Sequence, residues 1–212
     1  MSDGSVTRWA AQPDGDTRTA LADALSHFAR RAVEPDGHKP AAVAIAVVTS
    51  SEGPGIWLTE RAPTLRAHAG QFALPGGRLD AGEDAIAAAL RELHEELGVE
   101  LQRSDVLGLL DDYPTRSGYI MTPVVVWVGA DPGVLPNPTE VAIVHRISFT
   151  ELDVAPEFGR IPGSERPLIR LPLLGGHLHA PTAAIMYQFR EVALHRRHTR
   201  VDHIEQPRFA WE

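Results

Sequence analysis

The stretch GRLDAGEDAIAAALRELHEELGV, Gly77 to Val99, decides how this chain is read. Ile86, Leu90, Leu93 and Leu97 recur at helical spacing between Asp84 and Leu97, and Gly98 is placed to stop the helix. At about 100° per residue these apolar side chains stay within about 40° of Ile86, while Glu92, Glu95 and Glu96 share an arc of roughly 100° on the far side. Three carboxylates therefore face one small volume, and Glu92 with Glu96 forms an i, i+4 like-charge pair. Left alone, that arrangement repels itself. A divalent cation, which prefers oxygen ligands, removes the conflict. A solvated acidic helix face can carry the same residues, so context has to decide.

Immediately before the helix stands Pro75-Gly76-Gly77, where the backbone can approach a metal or phosphate closely. Glu83 and Arg91 are the other regularly spaced charges. From Gly77 to Val99 the segment satisfies G-x5-E-x7-R-E-U-x-E-E-x-G-U, with U a bulky aliphatic residue, at every defined position, a far more specific signal than a lone glycine motif. In this it resembles the Nudix hydrolase box. The resemblance implies an α/β/α sandwich around a mixed β-sheet and Mg²⁺- or Mn²⁺-dependent hydrolysis of a nucleoside diphosphate linked to another moiety. It assigns metal ligation to Glu92, Glu95 and Glu96, helped by the backbone around Gly76. It makes Arg91 and Glu83 the paired charges that fix the loop-helix geometry, a role compatible with an ordinary salt bridge. His94 lies off the carboxylate arc and is read as a surface histidine.

Upstream, WLTERAPTLRAHAGQFALPGG, Trp57 to Gly77, places two guanidiniums and several backbone amides beside the box. Arginine suits phosphate because its planar fork donates bidentately. The stretch resembles the signature that coenzyme A pyrophosphatases of the Nudix superfamily carry there, L-L-T-x-R-[SA]-x3-R-x3-G-x3-F-P-G-G. Leu58, Thr59, Arg61, Ala62, Arg66, Gly70, Pro75, Gly76 and Gly77 match, while Trp57 and Leu74 substitute other apolar side chains. Arg61, Arg66, His68, Gly70, Gly76 and Gly77 are thus the candidate substrate-binding residues. Asn137-Pro138-Thr139-Glu140-Val141 resembles a segment these proteins carry after the central strands, which makes Glu140 a candidate for metal or water contact and equally the end of a turn. Leu178 to Ala183 keeps only the Thr-Ala of a further family segment. The resemblance covers about Ala41 to Leu194, with specific motifs between Trp57 and Val99.

Elsewhere the pattern is coarser. Residues 1–16 are read as a flexible arm and 17–212 as a single domain with an N-terminal helix over 17–33 and a C-terminal helix over about 181–196 followed by a tail. Strands are expected at about 41–49, 56–60, 106–113, 120–128 and 141–148, the first two joined as a hairpin. The loop over 61–77 is read as ordered and functional. Strands and helices alternate without strict repetition, which favours a mixed sheet with helices on both faces. His177 and His179 alternate as strand neighbours but have no third nitrogen or sulfur ligand nearby for a transition metal. His195, Arg196, Arg197, His198 and Arg200 read as a solvated basic helix end.

The chain has 212 residues, 43% hydrophobic and 23% charged, enough for a sizeable core. Lys and Arg number 20 against 28 Asp and Glu, a formal charge of −8, which speaks against a fold-wide grip on nucleic acid. The absence of cysteine excludes disulfides, thiolate zinc sites and a cysteine nucleophile. With no apolar h-region at MSDGSVTRWA and no apolar run of membrane-spanning length, the chain reads as cytoplasmic and without a membrane partner. A homodimer is left open. The expected partner is a small nucleotide substrate such as coenzyme A or an acyl-CoA, cleaved to adenosine 3′,5′-bisphosphate and 4′-(acyl)phosphopantetheine. The alternatives are ADP-ribose or another nucleoside diphosphate derivative, or a non-catalytic nucleotide sensor. The catalytic set is Glu92, Glu95, Glu96, Arg91 and Glu140; spacing does not say which acid is the general base.

Overall fold

The computed structural model describes residues 14–63 and 70–210. Its elements run α1 Asp14–Ser26, β1 Lys39–Ser50, β2 Gly53–Arg61, β3 Phe72–Ala73, β4 Gly76–Arg78, α2 Ala85–Leu97, β5 Val106–Leu109, β6 Tyr113–Pro114, β7 Tyr119–Ala130, β8 Val141–Ser148, α3 Phe149–Leu152, β9 Glu157–Gly159, β10 Leu168–Leu171, β11 Leu178–His179 and α4 Thr182–Phe189. A larger sheet is ordered β3-β2-β1-β7-β5, with β4 on β1, β6 on β7 and β8 on β2, and a smaller one is ordered β11-β10-β9. The larger sheet is mixed, since β1 runs parallel to β7 and antiparallel to β2.

Strand β1 explains why the sheet is covered twice. Val43, Ile45 and Val47 face one cluster, with Leu21 and Leu25 of α1 and Ile185 and Phe189 of α4. Ala42, Ala44, Ala46 and Val48 face the other, with Ala88, Ala89, Leu93 and Leu97 of α2. A strand buried on both faces reads as a continuous apolar run, as Ala41 to Val48 does. The row of alanines on one face meets Ala88 and Ala89 of α2, so helix and strand approach closely. Each large side chain sealed in these clusters contributes about 1.5–3 kcal/mol. The architecture is the expected α/β/α sandwich around a mixed sheet.

The β1–β2 hairpin forms as expected, but more tightly: Ser50 pairs with Gly53 and the turn is Ser51-Glu52. The first helix differs from expectation at both ends. Of the stretch read as an arm, residues 1–13 lie outside the described residues, and Asp14 already begins α1, where the Thr19 hydroxyl donates to the Gly15 carbonyl. The helix stops at Ser26 rather than near 33, because the backbone beyond it is claimed by acids from another element. Arg31 N–H donates to Asp111 and Val33 N–H to Asp112. The expected strand over 106–113 is split into β5 and β6. The last helix is also shorter than expected: α4 ends at Phe189 and a π-helical turn, Arg190–Leu194, follows. Among the described residues no helix is long and apolar enough to cross a membrane.

Candidate active site

Helix α2 starts where the Asp84 carboxylate accepts from Ala87 N–H and stops where Gly98, at φ 71°, returns its N–H to the His94 carbonyl. The buried face of this helix is wider than the leucine stripe, because Ala88 and Ala89 are also buried. Glu96 therefore falls inside the buried face instead of opposite it, and the three carboxylates are graded. The Glu95 side chain is 51% exposed and that of Glu92 13%, while Glu96 is only 4% exposed. His94 is exposed, as expected.

Arg91 organises the first two acids. One guanidinium nitrogen, Nη1, donates to Glu92 Oε1 at 2.8 Å and to Glu95 Oε2 at 2.9 Å. Nε and Nη2 donate to Glu83 at 3.0 and 3.1 Å, and Nη2 also reaches the Arg78 carbonyl at 3.0 Å. Glu83 in turn accepts from Asp80 N–H. The same arginine thus ties the loop after β4 to the helix, and it holds the Glu83 carboxyl below its ordinary pKa. With its acids around it, Arg91 is itself pushed further into the charged form, chiefly by Glu83.

Glu96 has no such partner. Burial pushes its pKa up to about 8; the Gly76 N–H and the Arg61 charge oppose the rise, and the charges of Glu92 and Glu140 add to it. Glu92 is likewise raised, chiefly by burial, against the pull of Arg91. Glycine suits the facing strand β4, and at Gly76 the neighbour is backbone that cannot give way. A Cβ on Gly77 would lie 2.2 Å from Glu92 Oε1, and one on Gly76 would lie 2.3 Å from the Ala42 carbonyl oxygen. The expectation of three carboxylates facing one volume is corrected in this respect. Among the described residues no three His, Asp or Glu side chains converge tightly enough to hold a metal ion as they stand. Arg91 gathers Glu92 and Glu95, and Glu96 turns toward Gly76. The donor set nevertheless fits a hard cation. It consists of carboxylate oxygens, one of them buried with too little positive charge to balance it.

Glu140 is brought to this site by its loop. Asn137 N–H donates to the carbonyl of Glu96, Glu140 N–H to the carbonyl of Asn137, and Ala62 N–H to the carbonyl of Glu140. That places Glu140 within electrostatic reach of both Glu92 and Glu96. Arg61 acts on Glu96 from the end of β2, and its buried Nε has no hydrogen-bond partner among the described residues. Gly70 N–H donates to the carbonyl of Arg61. Arg66 and His68 lie outside the described residues.

Beside the carboxylates opens a cavity of about 480 Å³. Arg61, Gly70, Phe72, Leu74, Gly76 and Gly77 form one wall, all from the stretch ahead of the box or its first residue. Trp57, by contrast, is buried in the core beneath α2, and of the two substituted signature positions only Leu74 borders the cavity. Tyr119, His177, His179, Gln206 and Phe209 also line it. Of these, only the two histidines stood out in the sequence; the others have no local signal and come together through topology. The basic tail is solvated in part: Arg196, Arg197 and His198 are exposed, as expected, but its charges are also paired with acids from other elements. Arg190 and His195 share Asp153 Oδ1, Arg197 reaches Glu191, Arg200 donates to both carboxylate oxygens of Asp111, and Arg196 pairs with Asp23. The π-helical turn sets Arg190 and His195 five residues apart on one side of the chain, which is how both meet the same acid.

Residues 38–170 match the NUDIX domain family. The chain is 35% identical over 138 residues to the uncharacterized Nudix hydrolase NudL of Photorhabdus laumondii, an alignment covering 62% of this chain and 73% of that protein. It is 37% identical over 142 residues to the protein of the same name from Klebsiella pneumoniae, covering 64% and 73%. In fold it is similar to the crystal structure of a Nudix hydrolase from M. smegmatis, RenU, with a TM-score of 0.51 at 22% identity over 74% of this chain and 86% of that one. The sandwich, the box and the length of the match agree that this chain belongs to the Nudix hydrolase family, pyrophosphohydrolases that act on nucleoside diphosphate derivatives and generally use divalent metal ions.

Proposed function

We propose that this Nudix hydrolase cleaves the pyrophosphate bridge of coenzyme A or an acyl-CoA, releasing adenosine 3′,5′-bisphosphate and 4′-(acyl)phosphopantetheine. The observation that carries this reading is the shared wall: the stretch resembling the coenzyme A pyrophosphatase signature lines the cavity next to the carboxylates. Glu92, Glu95 and Glu96, with the backbone at Gly76, are the residues to hold Mg²⁺ or Mn²⁺. When bound, the ion supplies charge neutralisation at the phosphoryl oxygens and eases deprotonation of water. Arg61 and the matching Arg66, with His68 and the amides of Gly70, Gly76 and Gly77, hold the bridge by charge-assisted hydrogen bonds. Arg91 restrains Glu92 and Glu95, and Glu83 anchors Arg91. An acid among the box glutamates or Glu140 takes the proton of the attacking water, which adds to one phosphorus as the bridging oxygen leaves with the other.

The test is product identification after incubation with coenzyme A and Mg²⁺, with kcat/KM compared for coenzyme A and ADP-ribose. Adenosine 3′,5′-bisphosphate and phosphopantetheine are expected. A tenfold or larger preference for ADP-ribose overturns the substrate while keeping the chemistry.

A further inference from the structure

Half of the cavity wall beyond the signature stretch lies outside the region matched to the family. His177, His179 and Thr182 come from β11 and its flanks, and Gln206 and Phe209 from the chain after Ile204. At one corner the rings of His179 and Phe209 meet with centroids 5.1 Å apart and planes at 85°. In such an edge-to-face pair the edge of one ring covers at most one face of the other, and Phe209 is 54% exposed. Part of the Phe209 ring is therefore left uncovered at the cavity lining.

His179 adds a directional group. Burial, with the charges of His177 and Arg170, disfavours its protonated form. In the neutral ring one nitrogen donates and the other accepts. A flexible apolar arm would gain only contact area from this corner. A flat base bearing an amino group gains a stacking face and an acceptor together.

We infer that the His179–Phe209 corner seats the nucleobase: a purine with an exocyclic amino group stacks on Phe209 and donates from that amino group to the acceptor ring nitrogen of His179. This rests on the reading of the cavity as the nucleotide site, and it assigns the adenine half of the substrate to the wall outside the matched domain. The phosphopantetheine half is then left to the rest of the cavity.

The experiment is equilibrium binding to the full chain by titration calorimetry with ADP, IDP and 4′-phosphopantetheine as probes, none of which requires turnover. Phe209→Ala should weaken ADP and IDP alike by roughly five- to hundredfold, the range of one base–aromatic stack, and leave phosphopantetheine unchanged. Phe209→Trp should retain ADP. His179→Ala should abolish the preference for ADP over IDP. Unchanged ADP affinity in Phe209→Ala, or loss of phosphopantetheine in its place, overturns the assignment. If circular dichroism finds Phe209→Ala unfolded, Phe209→Leu keeps the bulk without the ring face; it must show the same loss, and full retention of ADP affinity there overturns the seat. Coenzyme A turnover, measured in parallel, separates the two readings. A protein that leaves coenzyme A intact yet loses ADP on Phe209→Ala keeps the seat and loses the substrate.

Discussion

The end of α2 and the end of α4 both bury carboxylates, and they treat them in opposite ways. Beside α4, Asp153 contacts Arg190 and His195, Glu191 accepts from Arg190, Arg197 and Thr199, and Asp111 accepts from Arg200 and Gln188. On α2 one guanidinium serves Glu83, Glu92 and Glu95, while Glu96 is left with a backbone amide and the charge of Arg61. Buried acid alone therefore does not mark a site in this molecule; acid without matching base does.

Three experiments test that contrast, the strongest at Glu96. Glu96→Gln should lower kcat roughly 10²- to 10⁴-fold. In the metal-free protein it should at the same time raise the unfolding midpoint at pH 8. With a folded pKa of about 8, above that of the unfolded chain, the native carboxyl binds its proton more tightly than the unfolded one. Stability therefore falls as pH rises through that window, and glutamine removes the fall. Turnover unaffected by the substitution would sink the assigned site. On the balanced side, Asp153→Ala leaves His195 without its acid and Arg190 with Glu191 alone, and should cost about 3–5 kcal/mol in urea unfolding with kcat intact. A loss below about 1 kcal/mol would remove the contrast. The smallest effect concerns Glu205, whose pKa is lowered to about 2 by Arg116, helped by the Ser164 hydroxyl and Gln206 N–H. It should contribute about 2 kcal/mol, allowing for the half-exposed Arg116, present above the unfolded carboxyl pKa and lost as pH falls toward 2. An unaltered acid limb of the melting curve in Glu205→Gln would contradict this.

The box was legible because its spacing is local. Glu83, Arg91, Glu92 and Glu95 lie on one turn and one helix, and the hydrogen bonds of Arg91 leave them only for the Arg78 carbonyl. The run from Ala41 to Val48 was readable as a buried strand for the same reason. Glu96 was misplaced on the helix because Ala88 and Ala89 carry little hydrophobic signal, although they widen the face that β1 covers. The end of α1 at Ser26, the pairing of the basic tail and the wall formed by Gln206 and Phe209 depend on Asp111, Asp112, Asp153 and β11, which are remote in sequence. Such contacts leave no periodic trace.

The parallel pairing of β1 with β7 sets an order of events during synthesis. Hairpin β1–β2 and helix α2 leave the ribosome before residues 119–130, the strand that pairs with β1 along most of its length. Until β7 arrives, the alanine face of β1 and the acid-bearing helix lack the neighbour that completes their shared core, so the sheet closes late and across a long loop. The segment that carries Phe209 follows later still, and the cavity gains its final wall only as the last described residues dock.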